Sequence, residues 1–259
     1  MIPKNSVTIF YYHILMLIVF MSQDTPVYRS FCSEEPVLFC VYISLLFIAL
    51  GSYSECFRDP GKEISTEDNG MPYCNICQGH TPVRGSHCSK CNQCISRRHF
   101  HCDWIHTCVG RNNSLSFLGF ISSEALFLGL ALFLSIRSIL SVDLLSVWNY
   151  RHVLVLIILP ATVYGFLQSS IYLVQFTHII ISNAVVLESK GIFGFQYVTF
   201  LKRNLNVYEL AMLDNIHEFL FMGSENTKWV LPDTDKAKAY KKEIELHHYQ
   251  KIDEANLPL

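Results

Sequence analysis

Long apolar runs alternate with one polar, cysteine-rich insert along this chain. A membrane-spanning helix needs about 20 largely apolar residues to cross a hydrocarbon core of roughly 30 Å. Four stretches reach or approach this length, namely residues 7–21, 36–53, 115–136 and 153–181. The first is short unless its polar flanks are included, and the last contains Pro160, which predicts a break in that helix. The pattern predicts two spanning helices, the insert, and two more spanning helices.

The first apolar segment has a second interpretation, as a cleaved secretory signal peptide. No small-residue cleavage site of the A-x-A type follows it, and this favours a spanning helix. The compartment of the insert does not depend on the choice, because the second segment alone carries the chain across the membrane before the insert begins.

Composition supports a membrane protein, and the distribution of charge predicts its orientation. Hydrophobic residues make up 51% of the 259 residues and charged residues only 16%, against about 25% in an average soluble domain. The insert, the C-terminal tail and Lys4 together hold 17 of the 20 Lys and Arg residues. Cytoplasmic loops carry the excess of basic residues, so both termini and the insert are expected in the cytosol. The formal net charge of −2 provides no global basic field, so nucleic acid is not an expected partner.

Seven of the ten cysteines lie between Cys74 and Cys108. The cytosol keeps thiols reduced, so a dense cluster there indicates metal binding rather than disulfides. Two sets share the pattern C-x2-C-x9-H-x6-C with a shift of 14 residues: Cys74, Cys77, His87 and Cys94, then Cys88, Cys91, His101 and Cys108. This pattern predicts two tetrahedral zinc sites, and four protein ligands at each site make the zinc structural rather than catalytic.

Cys102 is the one cysteine of the cluster that belongs to neither set. It directly follows the predicted ligand His101, and Arg97 and Arg98 lie close in sequence, where positive charge favours a thiolate. Cys102 is therefore a candidate nucleophile. The alternative is an inert small residue in a turn.

Four polar residues fall within the last two apolar segments: Glu124, Gln168, Gln175 and His178. Polar groups at membrane depth are costly and often functional. The alternative for each is a place near the membrane interface or a hydrogen bond between helices.

Together these features predict an all-α polytopic membrane protein. It has four transmembrane helices and a cytosolic cysteine-rich double-zinc domain between helices 2 and 3. The expected domains are helices 1 and 2 in residues 1–53, the zinc-binding domain in 54–114, helices 3 and 4 in 115–182, and a cytosolic C-terminal region in 183–259.

Two segments resemble a known family. The run CNICQGHTPVRGSHCSKCNQCISRRHFHCDWIHTCVGRNN, residues 74–113, resembles the cysteine-rich domain of the DHHC-type protein S-palmitoyltransferases. The run YELAMLDNIHEFLFMG, residues 208–223, is similar to the family's C-terminal motif, with Asn215 at its characteristic asparagine. The resemblance implies two structural zinc ions on the eight ligands above and a catalytic cysteine at Cys102. It also implies palmitoyl-CoA as acyl donor, protein substrates with membrane-proximal cysteines, and a membrane of the endoplasmic reticulum or Golgi.

The chain departs from the family in the four residues that name it. Asp-His-His-Cys is replaced by His99, Phe100, His101 and Cys102, which keeps the zinc ligand and the nucleophile but not the expected histidine base. His99 is the candidate substitute base, because imidazole titrates near neutral pH. Other departures are Asp103 for the usual proline, His106 and Thr107 for polar amides, and Val185, Val186, Leu187 and Glu188 for Thr-Thr-x-Glu.

The expected activity is protein-cysteine S-palmitoyl transfer through an acyl-enzyme on Cys102. The alternative is a catalytically weak or inactive family member that acts as a zinc-stabilised membrane binding or scaffold protein. Arg97, Arg98 and Arg111 are candidates to contact the phosphates of CoA, although the positive-inside bias explains the same arginines.

Overall fold

The structure is a computed structural model of the 259-residue chain. It describes residues 36–67, 71, 73–82, 84–140, 150–183, 189–192, 195–201 and 212–221. The first predicted spanning segment therefore lies outside the described residues. The chain divides into a helical unit, Met1–Glu55 with Ser116–Val174, and a zinc-hairpin unit, Cys56–Leu115 with Gln175–Leu259.

Four helices are described: α1 (Pro36–Glu55), α2 (Ser114–Leu140), α3 (Tyr150–Ile181) and α4 (Met212–Phe221). The first three correspond to the last three predicted spanning segments and extend each of them by a few residues. Within the described ranges, these three are long and apolar enough to cross a membrane. The protein is therefore mostly helical with three candidate membrane helices, and a fourth stays a prediction.

Aromatic contacts and small residues hold the helical unit together. The ring of Tyr42 on α1 lies 4.7 Å from that of Phe127 on α2, and Phe117 on α2 meets Tyr172 on α3 edge-on at 6.2 Å. Such pairs contribute about 0.5–1.5 kcal/mol each beyond the area they bury. At Gly165 on α3, an added Cβ would come within 2.9 Å of a methyl group of Leu128. Close approach at small residues is typical of membrane helices, whose outer faces are apolar.

The predicted break at Pro160 does not occur. α3 runs from Tyr150 to Ile181 with Pro160 inside it. Proline removes one backbone hydrogen bond, but membrane helices tolerate it because hydroxyl side chains and neighbouring helices satisfy the freed groups.

The expectation of an all-helical protein was wrong, because the described residues include eight short strands in four antiparallel pairs. These are β1 (Tyr73–Cys74) with β2 (Gly79–His80), β3 (Ser86–Cys88) with β4 (Gln93–Ile95), β5 (Phe100–Cys102) with β6 (Thr107–Val109), and β7 (Ser189–Ile192) with β8 (Phe195–Leu201). Three of the pairs, β1–β2, β3–β4 and β5–β6, lie within the cysteine-rich insert. Strands of two or three residues are too short to show an alternating pattern in the sequence.

The hydrophobic core of the zinc hairpins is small. Ile95 is fully buried and packs in one cluster with Cys88 and Cys108, two of the predicted zinc ligands. Backbone hydrogen bonds tie the hairpins to the segment that precedes them, from Ser96 N to Gly61 O at 2.9 Å. Because this cluster is small, we expect the predicted metals to contribute substantially to the stability of these hairpins.

Candidate functional site

Hairpins β3–β4 and β5–β6 position the predicted zinc ligands. In each of them a histidine lies directly opposite a cysteine, His87 opposite Cys94 and His101 opposite Cys108. The other two cysteines of each set come from the preceding hairpin, one at the end of its first strand (Cys74 or Cys88) and one in its turn (Cys77 or Cys91). The structure thus brings the eight predicted ligands into two groups, within which all donor atoms lie within 4.8 Å of one another: Cys74, Cys77, His87 and Cys94, and Cys88, Cys91, His101 and Cys108.

The spacing of the donor atoms fits zinc. In the first group the Nδ1 atom of His87 lies 3.3–3.8 Å from the three cysteine sulfurs. In the second group the Nδ1 atom of His101 also lies 3.3–3.8 Å from its three sulfurs. Zn–S bonds of about 2.3 Å and Zn–N bonds of about 2.0 Å at tetrahedral angles separate the donors by roughly 3.5–3.8 Å.

The electrostatics of the sulfurs also fit a cation. Burial raises the pKa of Cys94, and the hydrogen bond between Cys108 and Cys88 raises the pKa of Cys108 while it lowers that of Cys88. Without a cation, each group therefore retains protons on some of its thiols. A divalent cation displaces these protons and stabilises all three sulfurs as thiolates. The two Cys3His groups fit structural zinc.

The hairpin pattern has three copies rather than two. Each of the three turns contains one residue in the left-handed backbone region, with φ of 57° at Gln78, 52° at Asn92 and 48° at His106. This region is uncommon for residues other than glycine, so its recurrence at intervals of 14 residues identifies the same turn three times. Cys74, Cys88 and Cys102 are also 14 residues apart, and this spacing is the feature of the sequence that could have predicted the third copy.

The third copy differs from the first two at its second sulfur position. Cys77 and Cys91 supply a second sulfur from their turns, but the equivalent residue of the third turn is Ile105, which is fully buried. Beyond this hairpin the chain enters α2 at Ser114, so no fourth hairpin directly follows it to provide another histidine and cysteine. Cys102 therefore has the hairpin position of a zinc-binding cysteine but belongs to neither ligand group.

Both candidate catalytic residues are buried. Cys102 has no exposed surface, and His99 is 3% exposed. The His99 ring meets the ring of Phe176, near the end of α3, edge-on at 5.4 Å, and the half-buried Phe100 ring meets the same phenylalanine at 6.3 Å. The end of α3 thus covers the two residues that precede the zinc ligand His101.

The structure does not support Arg97 and Arg98 as contacts for CoA phosphates. Their side chains are buried and bind within the protein, Arg97 to Asn183 at 2.9 Å and Arg98 to the carbonyl oxygen of His87 at 2.7 Å. Of the three candidate arginines, Arg111 alone is partly exposed.

A buried polar cluster surrounds Asn183, just beyond α3. The Asn183 side-chain oxygen accepts hydrogen bonds from Arg84 at 3.2 Å and Arg97 at 2.9 Å, while its nitrogen donates to Glu218 on α4 at 2.8 Å. Arg97 also forms an ion pair with Glu218 at 3.6 Å. Sequence reasoning missed this cluster, because its members are far apart in the chain and no spacing links them.

Asn215 of the C-terminal motif is buried, and its side-chain nitrogen donates to the carbonyl oxygen of Ile181 at 2.7 Å. Residues 185–188, which replace Thr-Thr-x-Glu, lie outside the described residues.

Of the polar residues in the apolar segments, Glu124 is buried and His178 is exposed. Gln168 and Gln175 are partly buried, and a chemical role for any of the four stays a prediction.

Asp103, which directly follows Cys102, is half exposed and lies beside the second zinc group. Its Oδ1 atom is 2.6 Å from the ammonium nitrogen of Lys90 and 3.6 Å from Nε2 of His101. Because His101 directs Nδ1 at the sulfurs, its opposite ring nitrogen faces this carboxylate. Carboxylates in such positions orient metal-binding histidines.

Comparisons with known proteins agree on one family. The family model described as DHHC palmitoyltransferase matches residues 67–212, more than half of the chain. A ZDHHC-type palmitoyltransferase of Dictyostelium discoideum is 30% identical over 181 residues, which cover 67% of this chain and 40% of that protein. Palmitoyltransferase ZDHHC14 of Homo sapiens is 28% identical over 184 residues, covering 70% of this chain and 30% of that protein. The chain thus spans well under half of the length of these curated relatives.

Proposed function

The chain belongs to the DHHC palmitoyltransferase family, and from this premise we propose that it transfers a fatty acyl group from palmitoyl-CoA to protein cysteines through a thioester on Cys102. The observation that carries the proposal is the position of Cys102. It follows a zinc ligand in a hairpin that repeats the zinc-binding pattern, and it is in neither ligand group of the described structure. A thiol that its backbone holds beside a zinc site, and that is not one of the zinc ligands, is suited to nucleophilic catalysis.

The proposed reaction consists of two thioester exchanges. The Cys102 sulfur attacks the carbonyl carbon of palmitoyl-CoA, the bond from that carbon to the CoA sulfur breaks, and CoA leaves as a thiolate that takes up a proton. A substrate cysteine thiolate then attacks the acyl-Cys102 thioester and releases the Cys102 thiolate. The number of thioester bonds is conserved in each step, so neither step needs an oxidant or an external energy source.

Both steps need a proton acceptor, first for Cys102 and then for the substrate thiol. Phe100 has no titratable group, so we assign this role to His99. A well-placed general base is worth roughly 10²–10⁴ in rate. The edge contact of His99 with Phe176 restricts its ring, and we therefore expect turnover well below that of a relative with an intact motif. Exchange still proceeds without an ideal base, because thiolates attack thioesters readily.

The bound zinc ions would supply structure rather than chemistry, because all four ligands of each site come from the protein. His101 anchors the backbone next to Cys102, and the hairpin fixes the direction of that backbone.

We further propose that the zinc hairpins face the cytosol at a membrane of the endoplasmic reticulum or Golgi. Each buried methylene of an acyl chain is worth about 0.8 kcal/mol, so lipid-facing helices suit a fatty acyl donor. Substrate cysteines then lie close to the membrane surface.

A second candidate function is a binding protein without turnover. Phe100 in place of the histidine base and the complete burial of Cys102 favour it. In this case the zinc hairpins and helices would hold protein or lipid partners while Cys102 carries no acyl group.

Metabolic labelling separates the two functions. Cells that express the wild type are fed an alkyne-tagged palmitate, and the purified protein is tested for label that hydroxylamine removes. If the protein is an acyltransferase, Cys102→Ser eliminates this label. Cys56→Ser, which changes another buried cysteine outside both zinc groups, retains it. An unlabelled wild type, under conditions that label a relative with the intact motif, contradicts the acyltransferase and supports the binding protein.

A further inference from the structure

Residues 97–100 directly precede the zinc ligand His101 and the candidate nucleophile. Their backbone is tied on one side to β6, where the amide of His99 donates to the carbonyl oxygen of Val109 at 2.9 Å. Their side chains extend to a different part of the chain, the end of α3 and the helix α4.

The first of these side-chain contacts is polar. Arg97 is 5% exposed and binds both Asn183 and Glu218. Glu218 in turn accepts a hydrogen bond from Asn183 at 2.8 Å, so the three side chains close a ring of contacts. Charged groups this deeply buried are stable only when each is paired and hydrogen-bonded, which makes the ring sensitive to the loss of any member.

The backbone of Arg97 shows that this orientation is imposed. Its φ of 46° lies in the left-handed region, which is disfavoured for residues other than glycine. Arg84, the other arginine on Asn183, has a φ of 59°. Residues keep such conformations only where their surroundings over-determine them. Arg98, the next residue, has no positive φ and binds the zinc hairpin instead, through the carbonyl oxygen of His87.

The second contact is aromatic. The Phe176 ring meets His99 at 5.4 Å and Phe100 at 6.3 Å, and it meets Phe219 of α4 at 5.8 Å. Glu218 and Phe219 are adjacent on α4, so this short helix is linked to the segment before the nucleophile in two ways. Glu218 contacts Arg97 directly, and Phe219 contacts His99 through the ring of Phe176.

We propose that α4 positions the segment that carries His99 and Cys102, with Arg97 and Glu218 as its positioning residues. Asn183 joins them to the end of α3. The catalytic part of this inference rests on the proposed function, whereas the structural part does not. Loss of the Glu218 carboxylate leaves the Arg97 guanidinium buried without its counter-ion, and residues 96–99 are then free to open.

Hydrogen exchange of the purified full-length chain in detergent micelles measures this opening directly. In Glu218→Gln, we expect the amides of Ser96 and His99 to exchange about tenfold faster than in the wild type. The amides of β3 and β4 serve as an internal reference and should not change. Asp214→Asn removes an exposed carboxylate from the same helix and is the matched control, with wild-type exchange at both places.

Catalysis supplies a second readout. The rate of Cys102 acylation should fall about tenfold in Glu218→Gln, with little change in the palmitoyl-CoA concentration that gives half-maximal rate. Glu218→Asp should recover part of the loss, because it restores the charge. Arg97→Gln combined with Glu218→Gln should cost less than the sum of the two single changes, since both remove the Arg97–Glu218 contact.

The outcomes separate this inference from the proposed function. Unchanged exchange at Ser96 and His99 in Glu218→Gln overturns the positioning role, whether or not the protein is acylated. An equal increase in β3 and β4 also overturns it, because it shows general unfolding. Faster exchange confined to residues 96–99 in a protein that is never acylated upholds the positioning role and refutes the acyltransferase.

Discussion

Hairpins β3–β4 and β5–β6 have the same register, a residue with positive φ at the same turn position, and a cysteine at the end of the first strand. We nevertheless assign these two cysteines different roles. Cys88 lies in a zinc group, whereas Cys102 is the candidate nucleophile. The difference lies three residues further on, where Cys91 in one turn corresponds to the buried Ile105 in the other. In our proposal the same hairpin provides a metal ligand in one copy and a nucleophilic thiol in the other, and the residues around each cysteine determine which role it has.

The largest predicted effect comes from exchanging sulfur for oxygen in each hairpin. Cys88→Ser removes a ligand from a site whose zinc contributes on the order of 10 kcal/mol to folding, so the second zinc is lost and the hairpins unfold. Cys102→Ser keeps two zinc ions and the wild-type melting temperature. Elemental analysis of the purified variants together with thermal unfolding measures both. Zinc loss from Cys102→Ser would contradict the different roles of the two cysteines, because it would show that Cys102 is a zinc ligand.

The next prediction converts the third turn into a zinc-type turn. Ile105→Cys restores the C-x2-C spacing with Cys102, and two thiolates attract soft cations. We expect the variant to bind Cd²⁺ beyond the two equivalents of the wild type, detected by thiolate absorption and mass spectrometry of the intact protein.

The control for this change is Ile105→Val, which loses a methylene at a cost of about 0.5–1.5 kcal/mol but adds no ligand. Cd²⁺ should suppress Cys102 acylation in Ile105→Cys alone, and a chelator should restore it. An Ile105→Cys variant that takes up no additional metal contradicts the equivalence of the two turns.

A smaller effect is expected at the residue before the zinc histidine, which is Ser86 in one hairpin and Phe100 in the other. Phe100→His adds a base close to Cys102, and we expect acylation to rise roughly 10- to 100-fold, at the lower end of what general bases provide. Single-turnover labelling with palmitoyl-CoA measures the rate. Phe100→Leu, which adds no base, should give no increase, and equal rates in the two variants would show that the base is not what limits this hairpin.

The smallest effect concerns Asp103, at the position of Ser89 in the neighbouring hairpin. Asp103→Asn removes the carboxylate that faces His101, and zinc should leave the second site a few-fold faster, less than the 10- to 100-fold typical of buried partners because Asp103 is half exposed. Competition with a chromogenic chelator measures the release. Ser89→Ala is the control and should leave zinc release unchanged, whereas equal acceleration in both variants would refute a specific role for Asp103.

The sequence predicted the parts of this structure that depend on local pattern. The lengths of the apolar segments predicted α1, α2 and α3, because a helix spans a membrane when about 20 consecutive residues are largely apolar. The repeated ligand spacing located both zinc groups, since four donors around one ion leave few alternative spacings. The spacing of Cys74, Cys88 and Cys102 also contains the third hairpin, but this copy lacks a second sulfur in its turn, so the ligand pattern did not predict it.

The features that could not be predicted depend on contacts between distant residues. Arg97 was one of three candidate contacts for the CoA phosphates, with the positive-inside bias as the alternative explanation. Its burial against Asn183 and Glu218 follows from tertiary packing, which no local pattern encodes. The continuity of α3 through Pro160 is a similar case. Membrane helices tolerate a proline where their surroundings satisfy the freed backbone group, and no local pattern encodes those surroundings.

The central claim is that Cys102, and not a zinc-binding cysteine, carries the acyl group. The most direct test is mass spectrometry of proteolytic fragments from the wild-type protein purified with its lipid modifications intact. We expect a palmitoyl mass on the fragment that contains Cys102, removed by hydroxylamine, and no such mass on fragments that contain only zinc ligands. A palmitoyl group found solely on another cysteine, with Cys102 unmodified during turnover, would contradict it.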